Sequence, residues 1–455
     1  MTVATYPVQV DAARRSRAYA ALLSISLSAL VIVSIYAASR QLAPNESVLS
    51  TRLGFGPVIQ GIVQLHRLGA INKTYGWWCY AGRMPIVPVL GALSYWLSPR
   101  MAVFLILKDL AFWTLWIYAF FRLKRHYKIP DKWALVTVLL LFLTPYNLSI
   151  AGKVEAEEGF LFALIALLFS LLLTIEGPLS ALGAGIVMAT IYLTKSSMLP
   201  VCLTAAAWIV IRCWKKGARV IFIPLAALAL AILGWGTYIH GVSGVFAVGA
   251  DASSWNGWNF YKGNNPYAYP LYPRVILDVL DDEDYAHKLL PFVPVHSEWE
   301  LSHAQLAMGE KYVHDNPGAV FKMDLKKLYV ACCDLKESPE STIGHTRGGV
   351  ILSNVVSHLT LACVLVFAVV NAVRRRVSDA EILAVLLTLA YVLPYFAGFL
   401  YMRHMVPIYD LMVLTASVQV TRWHTQVPRL TNSSLRENPG VEETIGSALL
   451  ETAAR

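Results

Sequence analysis

With 455 residues the chain is long enough for two or three soluble domains, but 56% of it is hydrophobic and only 15% charged, which excludes a soluble surface over that length. A formal net charge of +9 would suggest nucleic acid in a soluble protein; here the basic residues stand in short segments between apolar runs, as cytoplasmic loops keep them. The charge therefore reads as topology, with membrane lipids and no nucleic acid among the expected partners.

In chain order, Arg14, Arg15 and Arg17 precede about 21 apolar residues without a convincing small-residue cleavage site, which predicts a cytoplasmic segment 1–17 and a retained first span. Apolar runs long enough for a hydrocarbon core about 30 Å thick predict ten spans, near 18–38, 101–121, 133–150, 159–175, 178–193, 198–213, 219–240, 350–372, 381–400 and 404–420. The expected fold class is an all-α polytopic membrane protein. Orientation follows from Arg14 to Arg17, "RLKRHYKIPDK" (122–132), "RCWKKGAR" (212–219) and "RRR" (374–376), which belong inside; the loop near 174–181 has no basic residue. Both termini are then cytoplasmic, and three pieces face outward: the loop 39–100, the short acidic turn 151–158 and the stretch 241–349.

Within 39–100, "RMPIVPVLGALSYWLSPR" is apolar and aromatic but broken by Pro85 and Pro88, which suits a helix lying at the interface better than a span. The stretch 241–349 opens with "SSWNGWNFYKGNNPYAYPLYP", turns acidic at "DVLDDEDY", and then shows helical spacing with a break at Asn316-Pro317, predicting a small mixed external domain. Residues 350–420 hold the C-terminal spans, and the polar tail 421–455 is expected to be disordered inside the cell. The six cysteines, Cys79, Cys202, Cys213, Cys332, Cys333 and Cys363, show no CxxC spacing; pairing of Cys79 with Cys332 or Cys333 across the outer face stays open.

Charged groups at membrane depth cost about 2.5 to 3.5 kcal/mol on insertion scales and are usually functional or paired. Glu155, Glu157 and Glu158 open a span on the outer side. A helix N-terminus favours a carboxylate there by about 0.3 to 1 kcal/mol, but one would serve that purpose. Glu46 is the sole acidic residue between Asp11 and Asp109. Carboxylates on two external segments suit sugar transfer, in which one takes a proton from an acceptor hydroxyl as an oxocarbenium-like centre develops. Arg83, Arg403, His404 and Lys195 can clamp a lipid phosphate or simply anchor the chain at the interface. The run Asp281, Asp282, Glu283, Asp284 with His287, His296, His303, His314 and His345 reads as a solvated acidic turn, with a divalent metal ion as the open alternative; no metal site is assigned. There is no GxxxxGK[ST] and no GxGxxG after a strand, so an activated substrate would arrive already attached to a lipid.

The order of an outward first span, an external "R-x-P-x-x-P", an acidic turn leading into "E-x-F-L-F", a "W-N-x-W-N-F-Y-x-G-N-N-P" loop and a final span beginning "R-H-x-x-P" resembles the bacterial GT-C glycosyltransferases. It is similar to glycosyltransferase family 39, the group of protein O-mannosyltransferases and lipid A aminoarabinose transferases, over most of residues 15 to 420. The resemblance implies an enzyme of the bacterial inner membrane that takes a sugar from a polyprenyl-phosphate donor and transfers it to a protein, lipid or polysaccharide acceptor outside. It implies Glu46 as general base, Glu158 with Glu157 in support, and Arg83 and Arg403 at the donor phosphate. Tyr261, Asn264 and Asn265 would help shape the substrate cavity, unless "GNNP" is simply a turn. Many relatives carry Asp on the first loop where this chain has Asn45-Glu46, so either Glu46 has the base role or the site is altered. The alternatives are a lipid-linked glycan ligase or polymerase, a transporter, and a non-catalytic protein of the same fold.

Overall fold

The computed structural model describes residues 6–40, 47–50, 55–71, 75–80, 82–142, 157–249, 254–272, 294–333, 347–398, 400 and 402–437. They are mostly helical. Helix α1 runs Tyr6–Arg40, followed by α2 (Gly56–Leu65), a two-stranded antiparallel pair β1 (Ala70–Ile71) and β2 (Trp78–Cys79), and α3 (Ile86–Leu97). Then come α4 (Met101–Tyr127), α5 (Asp131–Phe142), α6 (Glu157–Leu173), α7 (Pro178–Thr194), α8 (Leu199–Cys213) and α9 (Ala218–Ser243). The remainder comprises α10 (Ser254–Gly263), α11 (Ala268–Leu271), α12 (Glu298–Asp315), α13 (Pro317–Cys333), α14 (Arg347–Val373), α15 (Asp379–Ala397) and α16 (Met402–Glu437).

Five stretches among the described residues are long and apolar enough to cross a membrane: Met101–Tyr127, Ser196–Lys216, Ala218–Ser243, Val355–Val373 and Asp379–Ala397. Arg17–Val33, Ile86–Leu97, Phe160–Leu173 and Pro178–Thr194 are shorter apolar helices. The chain is thus an integral membrane protein. Helix α3, with only 12 residues, is too short to span, because Pro85 sets its start and Ser98-Pro99 ends it.

Helix α6 occupies the middle of the bundle. Its sequence is apolar on every face, and from Phe160 to Leu172 every side chain is buried, against α4, α7, α8, α15 and α16. Its direction relative to α4 follows from two contacts: Phe112 stacks on Phe162 with centroids 5.0 Å apart, and Arg122 donates to the Thr174 carbonyl at 3.0 Å. Contacts ascending together along both helices make them parallel. Helices α7 and α9 meet closely at Gly185, where a Cβ would lie 2.7 Å from the Pro224 Cα.

The basic segments gather at one end of this bundle. Beside Arg122 at Thr174, Lys216 donates to the Ile175 carbonyl, Arg212 pairs with Asp379, and Arg422 approaches Glu381. The buried Glu381 carboxylate also accepts from Asn371, Ser378 and Gln419, tying α14, α15 and α16 together there. Since α6 and α8 end and α15 begins at this basic end, which α16 passes at Gln419 and Arg422, the start of α6, the start of α8, the end of α15 and the start of α16 lie toward the other.

Two expectations change. The described part of 241–349 is helical, without a strand among its described residues, where a mixed domain was expected; apolar residues at helical spacing and a Ser297 cap on the Glu300 N–H favour helix there. The tail expected to be disordered from 421 is helical to Glu437, since adding turns to an existing helix costs far less than starting one.

Candidate functional site

The predicted phosphate residues lie at the end opposite the basic segments. Lys195 follows the last turn of α7, half-buried, with its ammonium 5.2 Å from the Tyr395 ring centroid. The other side of the cluster is His404, which is 2% exposed and stacks on Tyr395 with centroids 4.1 Å apart. Tyr395, in the last turn of α15, therefore brings a cation and an imidazole from helices far apart in sequence onto one ring. Arg403 precedes His404 in α16, and its side chain lies outside the described residues. Glu157 and Glu158 begin α6 at the same end; their side chains, Glu155 and Glu46 also lie outside the described residues. Ser47, next to Glu46, is bridged to Arg100 at the head of α4.

Arg83 approaches from the segment before α3. It is half-buried, with its guanidinium 4.6 Å from the Phe55 ring centroid. Two residues on, Pro85 lines a groove of about 630 Å³ between α2 and α3 on one side and α7 and α9 on the other. Ile62, Val89 and Trp96 form one wall, and Leu193, Leu230 and Trp235 the other. Leu193 is two residues before Lys195, so the groove runs between positions adjoining two of the predicted phosphate residues. His66 and Arg67 line it as well, Arg67 held over the rings of Trp78 and Tyr80 at 4.9 and 4.6 Å. An apolar cleft of this size with a few cations around it can take a hydrocarbon chain bearing an anionic head.

Two of the residues predicted to shape the substrate cavity, Asn264 and Asn265, hold backbone groups in place. The Asn265 amide nitrogen donates to the Tyr261 and Lys262 carbonyls while its oxygen accepts from the Tyr267 and Ala268 N–H groups, so it builds the turn of "GNNP". Asn264 donates to the carbonyls of Phe260 and Ala397, both at 2.8 Å. Tyr261 is buried at the start of this turn, and burial raises its phenol above the usual range.

One carboxylate escaped the sequence reading. Glu298, 1% exposed, accepts from the Tyr80 N–H at 2.9 Å and the Cys79 thiol at 2.7 Å, joining the loop after α2 to the start of α12. In sequence it reads only as a first-turn acid of a capped helix. Cys79 is a free thiol, not a disulfide partner; the side chains of Cys332 and Cys333 lie outside the described residues. Burial first, then the Glu298 charge, hold the Cys79 thiol protonated well above the ordinary thiol range. Since the thiolate is the reactive form, iodoacetamide at pH 8 should alkylate Cys79 more than 10-fold more slowly than an ordinary exposed thiol, and Glu298→Gln should speed the reaction. Peptide mapping checks this, and labelling of the native protein at the ordinary rate would refute it.

Among the described residues no group of three or more His, Cys, Asp or Glu is placed to hold a metal ion. His296, His303 and His314 are exposed, and Asp281 to Asp284, His287 and His345 lie outside the described residues.

Comparisons with protein-family models and with curated proteins return no match. Among solved structures, the chain is similar to ArnT from Cupriavidus metallidurans in its crystal structure bound to undecaprenyl phosphate, with 12% identity and a TM-score of 0.36, over 88% of this chain and 77% of that one.

Proposed function

We propose that this chain is a glycosyltransferase of the bacterial inner membrane, with ten spans and both termini inside, that moves a sugar from a polyprenyl-phosphate donor to an acceptor on the outer face. The observation that carries the reading is the apolar groove between Pro85 and Leu193, with Arg83 and Lys195 each two residues from its lining. A polyprenyl chain fills such a groove while its phosphate meets Arg83, Lys195, His404 and Arg403.

In the reaction, the acceptor hydroxyl gives its proton to Glu46 as its oxygen bonds to the anomeric carbon. The bond from that carbon to the phosphate oxygen breaks, and the polyprenyl phosphate leaves with the electron pair. Glu158 and Glu157 support the acceptor side, and attack opposite the leaving group inverts the anomeric centre. Negative charge grows on the departing phosphate, so cations already in place there stabilise the transition state more than the ground state.

Gly234 provides a direct test. It lines the groove, and nothing lies within 4 Å of where its Cβ would be, so Gly234→Trp fills the groove without striking the backbone. Purified protein in lipid nanodiscs should transfer radiolabel from at least one member of a panel of polyprenyl-phosphate sugars, and Gly234→Trp should raise the donor KM at least about 10-fold with thermal stability retained. If the wild type uses no donor, or the variant uses it as well as the wild type, the reading is wrong.

A further inference from the structure

The turn joining α15 to α16 is held from outside by three side chains from distant parts of the chain. The last carbonyls of a helix have no partner within it and are ordinarily met by water or by a local cap. Here the Phe396 carbonyl accepts from the Lys327 ammonium at 2.9 Å, and the Ala397 carbonyl accepts from the Asn264 amide at 2.8 Å. The Leu400 carbonyl accepts from the Tyr272 hydroxyl. Asn264 follows α10, Tyr272 follows α11, and Lys327 lies on α13. All three side chains are at most 4% exposed, and Gly263 sits flush against Gly398 in the middle of the turn.

Such an arrangement is costly if the turn only has to connect two helices. A buried ammonium loses its hydration, and among the described residues the carboxylate paired with Lys327 is Asp324, at 3.0 Å. What the turn does control is the approach of Tyr395, just before it, to His404, just after it. A shift of about an ångström there would unstack the pair and displace His404 from the phosphate position, and misplacement on that scale can cost about 10²-fold in rate.

We infer that Asn264, Tyr272 and Lys327 are positioning residues that hold the backbone of Phe396, Ala397 and Leu400 and, through it, His404 against Tyr395 at the donor phosphate; the catalytic part of this inference rests on the function proposed above. It extends that function by making the outer helices α10 to α13 part of the transferase machinery, not merely a cover.

The test uses the full chain in nanodiscs with Tyr272→Phe, Asn264→Ala, Lys327→Met and the conservative Lys327→Arg. Acylation of histidines by diethylpyrocarbonate, mapped by mass spectrometry, reports on His404 without any need for turnover; exposed His66, His303 and His314 are internal controls. The first three variants should raise His404 acylation at least 5-fold with the controls unchanged, and should lower kcat about 10-fold at unchanged donor KM, while Lys327→Arg stays near wild type. Unchanged protection of His404 in all three, or loss of activity only in step with acylation of every histidine, overturns the inference. Should Asn264→Ala or Lys327→Met fail to fold, Tyr272→Phe, which lacks a single oxygen, decides. A wild type that transfers no sugar while His404 protection changes as expected refutes the proposed function and leaves the positioning of His404 standing.

Discussion

Glu158→Gln is expected to lower sugar transfer by about 10²- to 10⁴-fold, with the protein still folded and donor binding retained. Glutamine keeps the shape and hydrogen-bonding reach of glutamate but can neither accept a proton nor carry charge. Position 158 lies in the first turn of α6, one helical turn before Phe162, whose ring stacks on Phe112 of α4. The register of these parallel helices places position 158 level with Lys108 and Asp109, a buried ion pair with 3.5 Å between its charged atoms. A helix-start role alone predicts a loss of about 0.3 to 1 kcal/mol in stability and no direct effect on rate. A 10²-fold fall in kcat corresponds to about 2.7 kcal/mol at the transition state, so magnitude separates the two roles. Glu46→Gln should fall at least as far, because the proposed mechanism has Glu46 take the proton. Single-turnover transfer, with polyprenyl-phosphate binding measured in parallel, checks both. Full activity in both variants would refute the carboxylate assignment and favour a ligase that relies on arginines.

Gly263→Ala is expected to cause the largest structural loss. A Cβ at this position would lie 1.8 Å from the Gly398 carbonyl oxygen and 2.4 Å from its carbon, both backbone atoms that no rotamer change can move. Alanine at the end of α10 would gain up to about 1 kcal/mol in helix propensity. Overpacking in a close-packed site usually costs about 1 to 3 kcal/mol, and more where the neighbour is backbone, so the clash wins. The melting temperature should fall by several degrees, with His404 acylated faster than in Tyr272→Phe. A variant as stable as wild type would show that α10 and the turn after α15 do not touch in the working protein.

Much of the architecture is legible in the residues. Runs such as "LFALIALLFSLLL" are apolar on every face, so α6 had to leave water, while its place among other helices came only from packing, and the basic loops assigned the ends of the helices to two sides before any contact was known. Lys195, Arg403 and His404 stood out because charge beside an apolar run is costly. Tyr395 carried no such signal: a tyrosine near the end of a span is common at interfaces, and its meaning comes from having both Lys195 and His404 against its ring. Glu298 resembled an ordinary first-turn acid until its contacts with Cys79 and Tyr80 appeared. "GNNP" announced a turn, but not that Asn264 would reach the Ala397 carbonyl 133 residues away.

The sequence by itself therefore determined that the chain is mostly helical and embedded in a membrane, and which cations stand beside apolar runs, because these follow from local hydrophobicity and charge. The groove between α3, α7 and α9, the Lys195, Tyr395 and His404 stack, and the hold of α10 to α13 on the turn after α15 were decided only in the tertiary structure. They depend on distances between residues far apart in the chain, and such distances are set by packing, which no local pattern encodes.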